Sequence, residues 1–151
     1  MPGRFKPEYE TAATRAKELE VCNRLAADGL HFQKLAPKDV LDFGISRDDQ
    51  LVAFLEVKST SYPSTKYRTF RMSMAKFLRM KTIHATTGRQ TALVVCYTDK
   101  TLRLWINGTV APEFLEMGGR WDRADSEDVE PLAHFPVEDF KELWTNGEGA
   151  T

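Results

Sequence analysis

Leu51-Val52-Ala53-Phe54-Leu55-Glu56-Val57-Lys58 is an apolar run that closes on an acid and an amine two positions apart. It is long enough for one strand and too short for a typical helix. Side chains alternate faces along a strand, so Glu56 and Lys58 project from the same side, about 7 Å apart along the chain. Upstream, Val40-Leu41-Asp42-Phe43-Gly44-Ile45 sets a second carboxylate between apolar neighbours, fourteen positions before Glu56. Carboxylates are rarely buried without a partner, so each of these two wants a cation. The intervening Arg47-Asp48-Asp49-Gln50 is polar and hairpin-like. If the two runs pair, Asp42, Glu56 and Lys58 converge on one point. Two acids and an amine at one point is the chemistry of a magnesium site with an activated water.

At 151 residues the chain suits one domain with a real core, expected over 1–145, with 146–151 as a frayed tail. Its apolar fraction of 42% and charged fraction of 28% are those of an ordinary globular protein. No apolar run reaches the roughly 20 residues of a membrane helix, and the N-terminus lacks a secretory apolar core. Cys22 and Cys96 both fall inside apolar patterns, which predicts buried thiols in a reducing compartment and excludes a disulfide framework or a zinc site. An intracellular, cytoplasmic location follows as the expectation.

The net charge of −1 conceals an asymmetry. Val57 to Thr98 holds Lys58, Lys66, Arg68, Arg71, Lys76, Arg79, Lys81 and Arg89 with no acid, a charge of +8 against −9 for the remainder. A segment of this kind is the usual electrostatic footprint for a polyanion, and it begins at the acidic site itself. Lys66-Tyr67-Arg68-Thr69-Phe70-Arg71 interleaves cations with aromatic rings, a pattern suited to clamping phosphates while a ring packs on sugar or base. Lys66, Tyr67, Arg68, Arg71, Lys76 and Arg79 are the candidate contacts.

A helix is predicted from Pro7 to about Asp28, a short strand around His31 to Leu35, and then the two strands of the hairpin. Ser59 to Phe70 reads as a loop. Ser73 is placed to cap a helix that runs towards Gly88, with Met74, Phe77, Leu78 and Ile83 on its core face. Thr91 to Thr98 is a strongly apolar strand, and Leu102, Leu104 and Ile106 alternate along another. Gly118 to Val129 is polar and reads as a surface loop or β-ribbon, and Pro136 to Trp144 as a short C-terminal helix. The order is that of a mixed α/β fold with a central β-sheet flanked by helices.

The helix, the Asp at the head of a hairpin, Glu56-Val57-Lys58-Ser59-Thr60 on the next strand and the basic helix after it resemble the PD-(D/E)XK nuclease superfamily. The resemblance spans roughly Glu18 to Tyr97. One departure is that Leu41 stands where the family's name places a proline. Asp39, in Pro37-Lys38-Asp39, competes with Asp42, and Asp42 is preferred because it lies in the alternation of a core strand. The resemblance implies a restriction-endonuclease-like core and a DNA endonuclease. Asp42, Glu56 and the backbone carbonyl of Val57 would hold Mg²⁺, for which Mn²⁺ can substitute, and Lys58 would orient or deprotonate the attacking water. It also implies an assisting Glu from the first helix. Glu18 is chosen over Glu20 because Val21, Cys22 and Leu25 lie at its i+3, i+4 and i+7 offsets, which turns it inward.

A Glu and a Lys two apart on a strand are ordinarily a solvated ion pair of little worth. Here the strand is too apolar for an exposed edge, and Asp42 repeats the anomaly next door. Two rivals stand beside the DNA nuclease: a non-catalytic DNA- or protein-binding member of the same fold, and a nuclease acting on RNA. DNA is the expected partner and a membrane is not. A homodimer is left open. The C-terminal part is loosely similar to small phage-encoded proteins, which favours a phage origin.

Overall fold

A computed structural model describes residues 12–26, 29–35, 43–118 and 129–146. In chain order the elements are α1 (Ala12–Ala26), β1 (His31–Lys34), β2 (Phe43–Arg47), β3 (Gln50–Ser59), β4 (Thr69–Ser73), α2 (Met74–Thr87), β5 (Gln90–Cys96), β6 (Lys100–Trp105), β7 (Phe114–Gly118), β8 (Glu130–Pro136) and β9 (Lys141–Thr145). Six strands form a central mixed sheet in the order β1-β2-β3-β5-β6-β9, and β4-β8-β7 form a second, smaller sheet.

The predicted hairpin is present. Phe43 pairs with Leu55 and Arg47 with Gln50, antiparallel, with a bulge at Ile45/Ser46. Asp48 and Asp49 turn the chain with φ of 52° and 63°, both left-handed, the conformation of a two-residue primed turn. Glycine fits the second position without steric cost, so Asp49→Gly is expected to raise stability by roughly 0.5–1 kcal/mol, read as a higher denaturant midpoint at unchanged slope.

β3 divides the core. Ala53, Leu55 and Val57 face α1, where they join Val21, Cys22, Phe43, Ile45, Ala92, Val94 and Cys96. The opposite face of the sheet, with Leu93, Val95, Leu102 and Leu104, packs against Phe77 and Met80 of α2 and against Phe70, Met72, Ala133 and Phe135 of the small sheet. Both cysteines are buried free thiols, and burial pushes the Cys96 thiol up.

α2 begins and ends where local chemistry dictates. The Ser73 side chain accepts from the Lys76 N–H, and Gly88 closes the helix at φ 69° while its N–H bonds the His84 carbonyl. Of its expected core face, Phe77 is buried whereas Leu78 is half exposed, and Met80 takes the core position.

The predicted C-terminal helix is corrected. Only Val137–Asp139 forms a 3₁₀ turn, after which the chain extends as β9. Lys100 pairs with Thr145, Thr101 with Trp144 and Arg103 with Lys141. β6 would otherwise be an open edge with a row of unpaired backbone groups, and closing that ladder outweighs a modest local helix preference. Phe114–Gly118 was not anticipated as a strand, and residues 119–128 lie outside the described residues. Among the described residues no helix is long and apolar enough to cross a membrane.

Candidate active site

β3 is parallel to β5, with Glu56 opposite Leu93 and Lys58 opposite Val95. Since Ala53, Leu55 and Val57 turn to α1, Glu56 and Lys58 turn to the side of α2 and β4. Glu56 is 1% exposed. Lys58 Nζ lies 3.3 Å from its Oε2, so the expected shared face is present. A second cation arrives from α2, with Lys76 Nζ 3.0 Å from the same oxygen. Lys76, expected on the nucleic-acid track, instead clamps the site's carboxylate. The sequence holds no signal for this pairing, because it depends on how α2 docks against β3.

The other oxygen of Glu56 differs. Oε1 is buried and has no hydrogen-bond partner among the described residues. A buried carboxylate oxygen without a partner costs free energy that a fold does not ordinarily leave uncompensated. It is an acceptor of the kind that a hard cation takes.

Asp42 lies outside the described residues, as does Asp39. Its sequence neighbour Phe43 is the first residue of β2 and pairs with Leu55, the neighbour of Glu56. Among the described residues no three His, Cys, Asp or Glu side chains gather as a metal centre. Glu18 is buried, as its spacing predicts, while Glu20 is exposed and pairs with Arg24. Glu18 meets Lys34 Nζ of β1 at 3.2 Å, and α1 covers the face of the sheet opposite to Glu56.

The basic segment divides into paired and unpaired cations. Arg68 forks onto Glu113, with Nη1 donating to Oε2 at 3.0 Å, and Arg71 Nη1 stands 3.9 Å from Glu116 Oε1. These acids belong to β7 and the turn before it, so the small sheet neutralises part of the +8 stretch. Lys66 and Arg79 are exposed and make no ion pair among the described residues. Lys66 Nζ stands over the rings of Tyr62 and Tyr67 at 5.6 and 5.5 Å, and Tyr67 is 53% exposed.

The loop that carries these rings is pinned. Ser64 donates its N–H and its hydroxyl to Asp99 at 2.8 and 2.7 Å, and the Thr60 N–H bonds the Cys96 carbonyl. Burial pushes the Asp99 carboxyl up, but the two bonds from Ser64 outweigh it and hold the group below its ordinary range. A depressed folded pKa contributes stability that is complete above the unfolded value, about pH 4, and is lost as pH falls through the folded one. Asp99→Asn is therefore expected to melt below the native chain at neutral pH, with the gap closing on acidification. Thermal midpoints followed from about pH 7 to pH 2 check this, and a gap independent of pH would sink it.

A central mixed sheet flanked by helices, with an acid and a lysine two residues apart on its central strand, defines the restriction-endonuclease-like fold of PD-(D/E)XK nucleases. The family model described as "Phage putative PDDEXK endonuclease" matches residues 4–143, and the chain belongs to that family. Among solved structures it is similar to Hjc of Archaeoglobus fulgidus, a Holliday junction resolvase. The identity is 11% and the TM-score 0.53, over 91% of this chain and 99% of that one. No curated protein matches the chain.

Proposed function

We propose that this chain is a Mg²⁺-dependent endonuclease that hydrolyses phosphodiester bonds of DNA. The carrying observation is Glu56, a carboxylate 1% exposed, with one oxygen held by two lysines and the other buried without a partner. Strongly desolvated charged groups of this kind concentrate where chemistry is done. Asp42, Glu56 and the Val57 carbonyl are assigned to the cation. A bound divalent cation supplies a lowered pKa for its water and withdraws charge from the scissile phosphate. Lys58, half exposed beside Glu56, is assigned to orient the attacking water or take its proton. Glu18, the helix acid of the expected set, is buried against Lys34 on the face of the sheet opposite to Glu56 and is given no part in the chemistry. Residues 1–145 are read as one nuclease domain and 146–151 as its tail.

Lys76 has a distinct part. It is the closer of the two counter-charges to Glu56. Lys76→Ala removes one of two partners of a buried acid, so a loss of about 1–2 kcal/mol is expected, less than the 3–5 of a pair left wholly broken. The same change removes a like charge beside the cation site and is expected to tighten Mg²⁺ on the order of tenfold. Denaturant unfolding and calorimetric Mg²⁺ titration read the two effects. Weaker Mg²⁺ binding in Lys76→Ala would contradict the assignment.

The activity is tested by incubating supercoiled plasmid with the protein in Mg²⁺, Mn²⁺ or EDTA, beside Glu56→Ala and Lys58→Ala. Metal-dependent nicking or linearisation, lost in both variants, is the expected result. Intact plasmid with a gel shift that survives Glu56→Ala and weakens in Arg79→Ala would establish the non-catalytic binder. Because the similar Archaeoglobus protein is a Holliday junction resolvase, a four-way junction and a structured RNA belong beside the plasmid. Cleavage of the RNA alone would move the substrate class.

A further inference from the structure

A cleft of about 340 Å³ lies between the pinned loop and the small sheet, lined by Tyr62, Tyr67, Thr69, Arg71, Glu116 and His134. Its size falls within the range of roughly 300–1,000 Å³ typical of small-molecule sites. One wall is aromatic. Tyr62 and Tyr67 meet edge to face at 5.2 Å, with the Lys66 ammonium over both rings. The other wall is a polar network whose members fix one another. His134 is 8% exposed and stacks on Phe114 at 4.2 Å. Its Nδ1 bonds the Thr69 hydroxyl at 2.7 Å, its Nε2 bonds Glu116 Oε1, and Arg71 stands beside the same oxygen. The Arg71–Glu116 pair is exposed and contributes little to stability, so folding alone gives that pair small reason to exist.

We infer that this cleft is a subsite for an unstacked nucleobase, for which guanine offers the best-matched edge. The proposal rests on the nuclease reading and deepens it. Every base offers a π-face to a tyrosine, and Lys66 at the rim matches the phosphate that accompanies a base. Glu116 decides what enters. A phosphate beside that carboxylate is repelled, whereas a base edge carrying N–H groups gives it a donor to accept from. Arg71 supplies the complementary donors. Guanine presents ring and amino N–H donors beside the O6 and N7 acceptors that arginine takes as a pair.

The chain links the cleft to the candidate active site. Arg71 and Thr69 lie on one face of β4 while Phe70 and Met72 lie in the core, and β4 ends at Ser73, the cap of α2. Lys76, which touches Glu56, is in the first turn of that helix. A nucleic-acid strand lying along β4 would reach the phosphate-cleaving groups within a few residues of the base that it places in the cleft.

The test measures binding of a fluorescein-labelled duplex with a short single-stranded arm of guanines, in Ca²⁺ to hold back cleavage. Each arm position is replaced in turn by an abasic site. Native protein is expected to lose about tenfold in affinity at one position, within the range for base–aromatic stacking. Tyr67→Ala is expected to lose the same amount on the intact arm and nothing further at that abasic position. Glu116→Gln is expected to shrink the preference for guanine over adenine at that position. Competition by free dGMP at millimolar concentration would assign the subsite to a mononucleotide, and its absence to a base within a strand. Native binding indifferent to every abasic position overturns the proposal without any variant having to fold. Failure of the nuclease reading is distinguishable, since it appears as uncut plasmid in Mg²⁺ whatever the abasic scan gives.

Discussion

Glu56→Gln is expected to abolish measurable cleavage while leaving the fold in place. The amide keeps the shape of the side chain but loses the charge and one strong acceptor oxygen. Outer-shell partners of a metal are already worth 10–100-fold, so if Glu56 holds the cation as proposed, its loss is expected to lower the rate by more than about 100-fold. Stability should move little. The native carboxylate is 1% exposed and owes its tolerance to Lys58 and Lys76. Once it is neutral, those ammoniums, 47% and 30% exposed, can turn to water. Initial rates on plasmid in Mg²⁺, with circular dichroism melting on the same samples, check both halves. A rate within tenfold of native would place the reaction on another acid. A melting point lower by more than about 10 °C, several kcal/mol in a chain of this size, would make Glu56 a structural residue first.

Phe77→Ala carries the largest expected loss of stability. Phe77 is 2% exposed and meets Phe135 of β8 at 5.0 Å between ring centroids. It stands where α2, the central sheet and the small sheet come together, so three layers lose contacts at once. Truncations of this kind cost about 3–5 kcal/mol, the upper end where the surroundings cannot collapse into the space. Rigid strands on two sides favour that upper end. Guanidinium unfolding should show a much lower midpoint, and thermal melting a fall of about 6–20 °C. A loss below about 1 kcal/mol would mean that α2 docks loosely, and the Lys76–Glu56 contact that depends on its docking would fall with it.

The features legible in the sequence are those that neighbours within a few residues decide. The alternation from Leu51 to Lys58 placed Glu56 and Lys58 on one face, and the structure has them there 3.3 Å apart. Ser73 and Gly88 bounded α2 because a cap and a left-handed turn are local chemistry. The i+3, i+4 and i+7 offsets turned Glu18 inward and left Glu20 to solvent. The helix read over Pro136 to Trp144 failed for the converse reason. Its local propensity was moderate, and the open edge of β6, some forty residues earlier in the chain, had a stronger claim on that backbone.

The partners of charge were the other gap. A run of eight cations without an acid reads as one basic track, yet Arg68 finds Glu113 forty-five residues away, and Lys76 reaches Glu56 across twenty. Periodicity says which way a side chain points and nothing about what waits there. By itself the sequence determined the hairpin, the shared face of Glu56 and Lys58, the limits of α2 and the buried thiols, because strand alternation, helix caps and apolar patterning act over a few residues. Only the tertiary structure decided that Lys76 closes on Glu56, that Glu113 and Glu116 pair with Arg68 and Arg71, and that the last strand completes the sheet. Those contacts arise where distant elements are brought together by packing, and no local pattern encodes them.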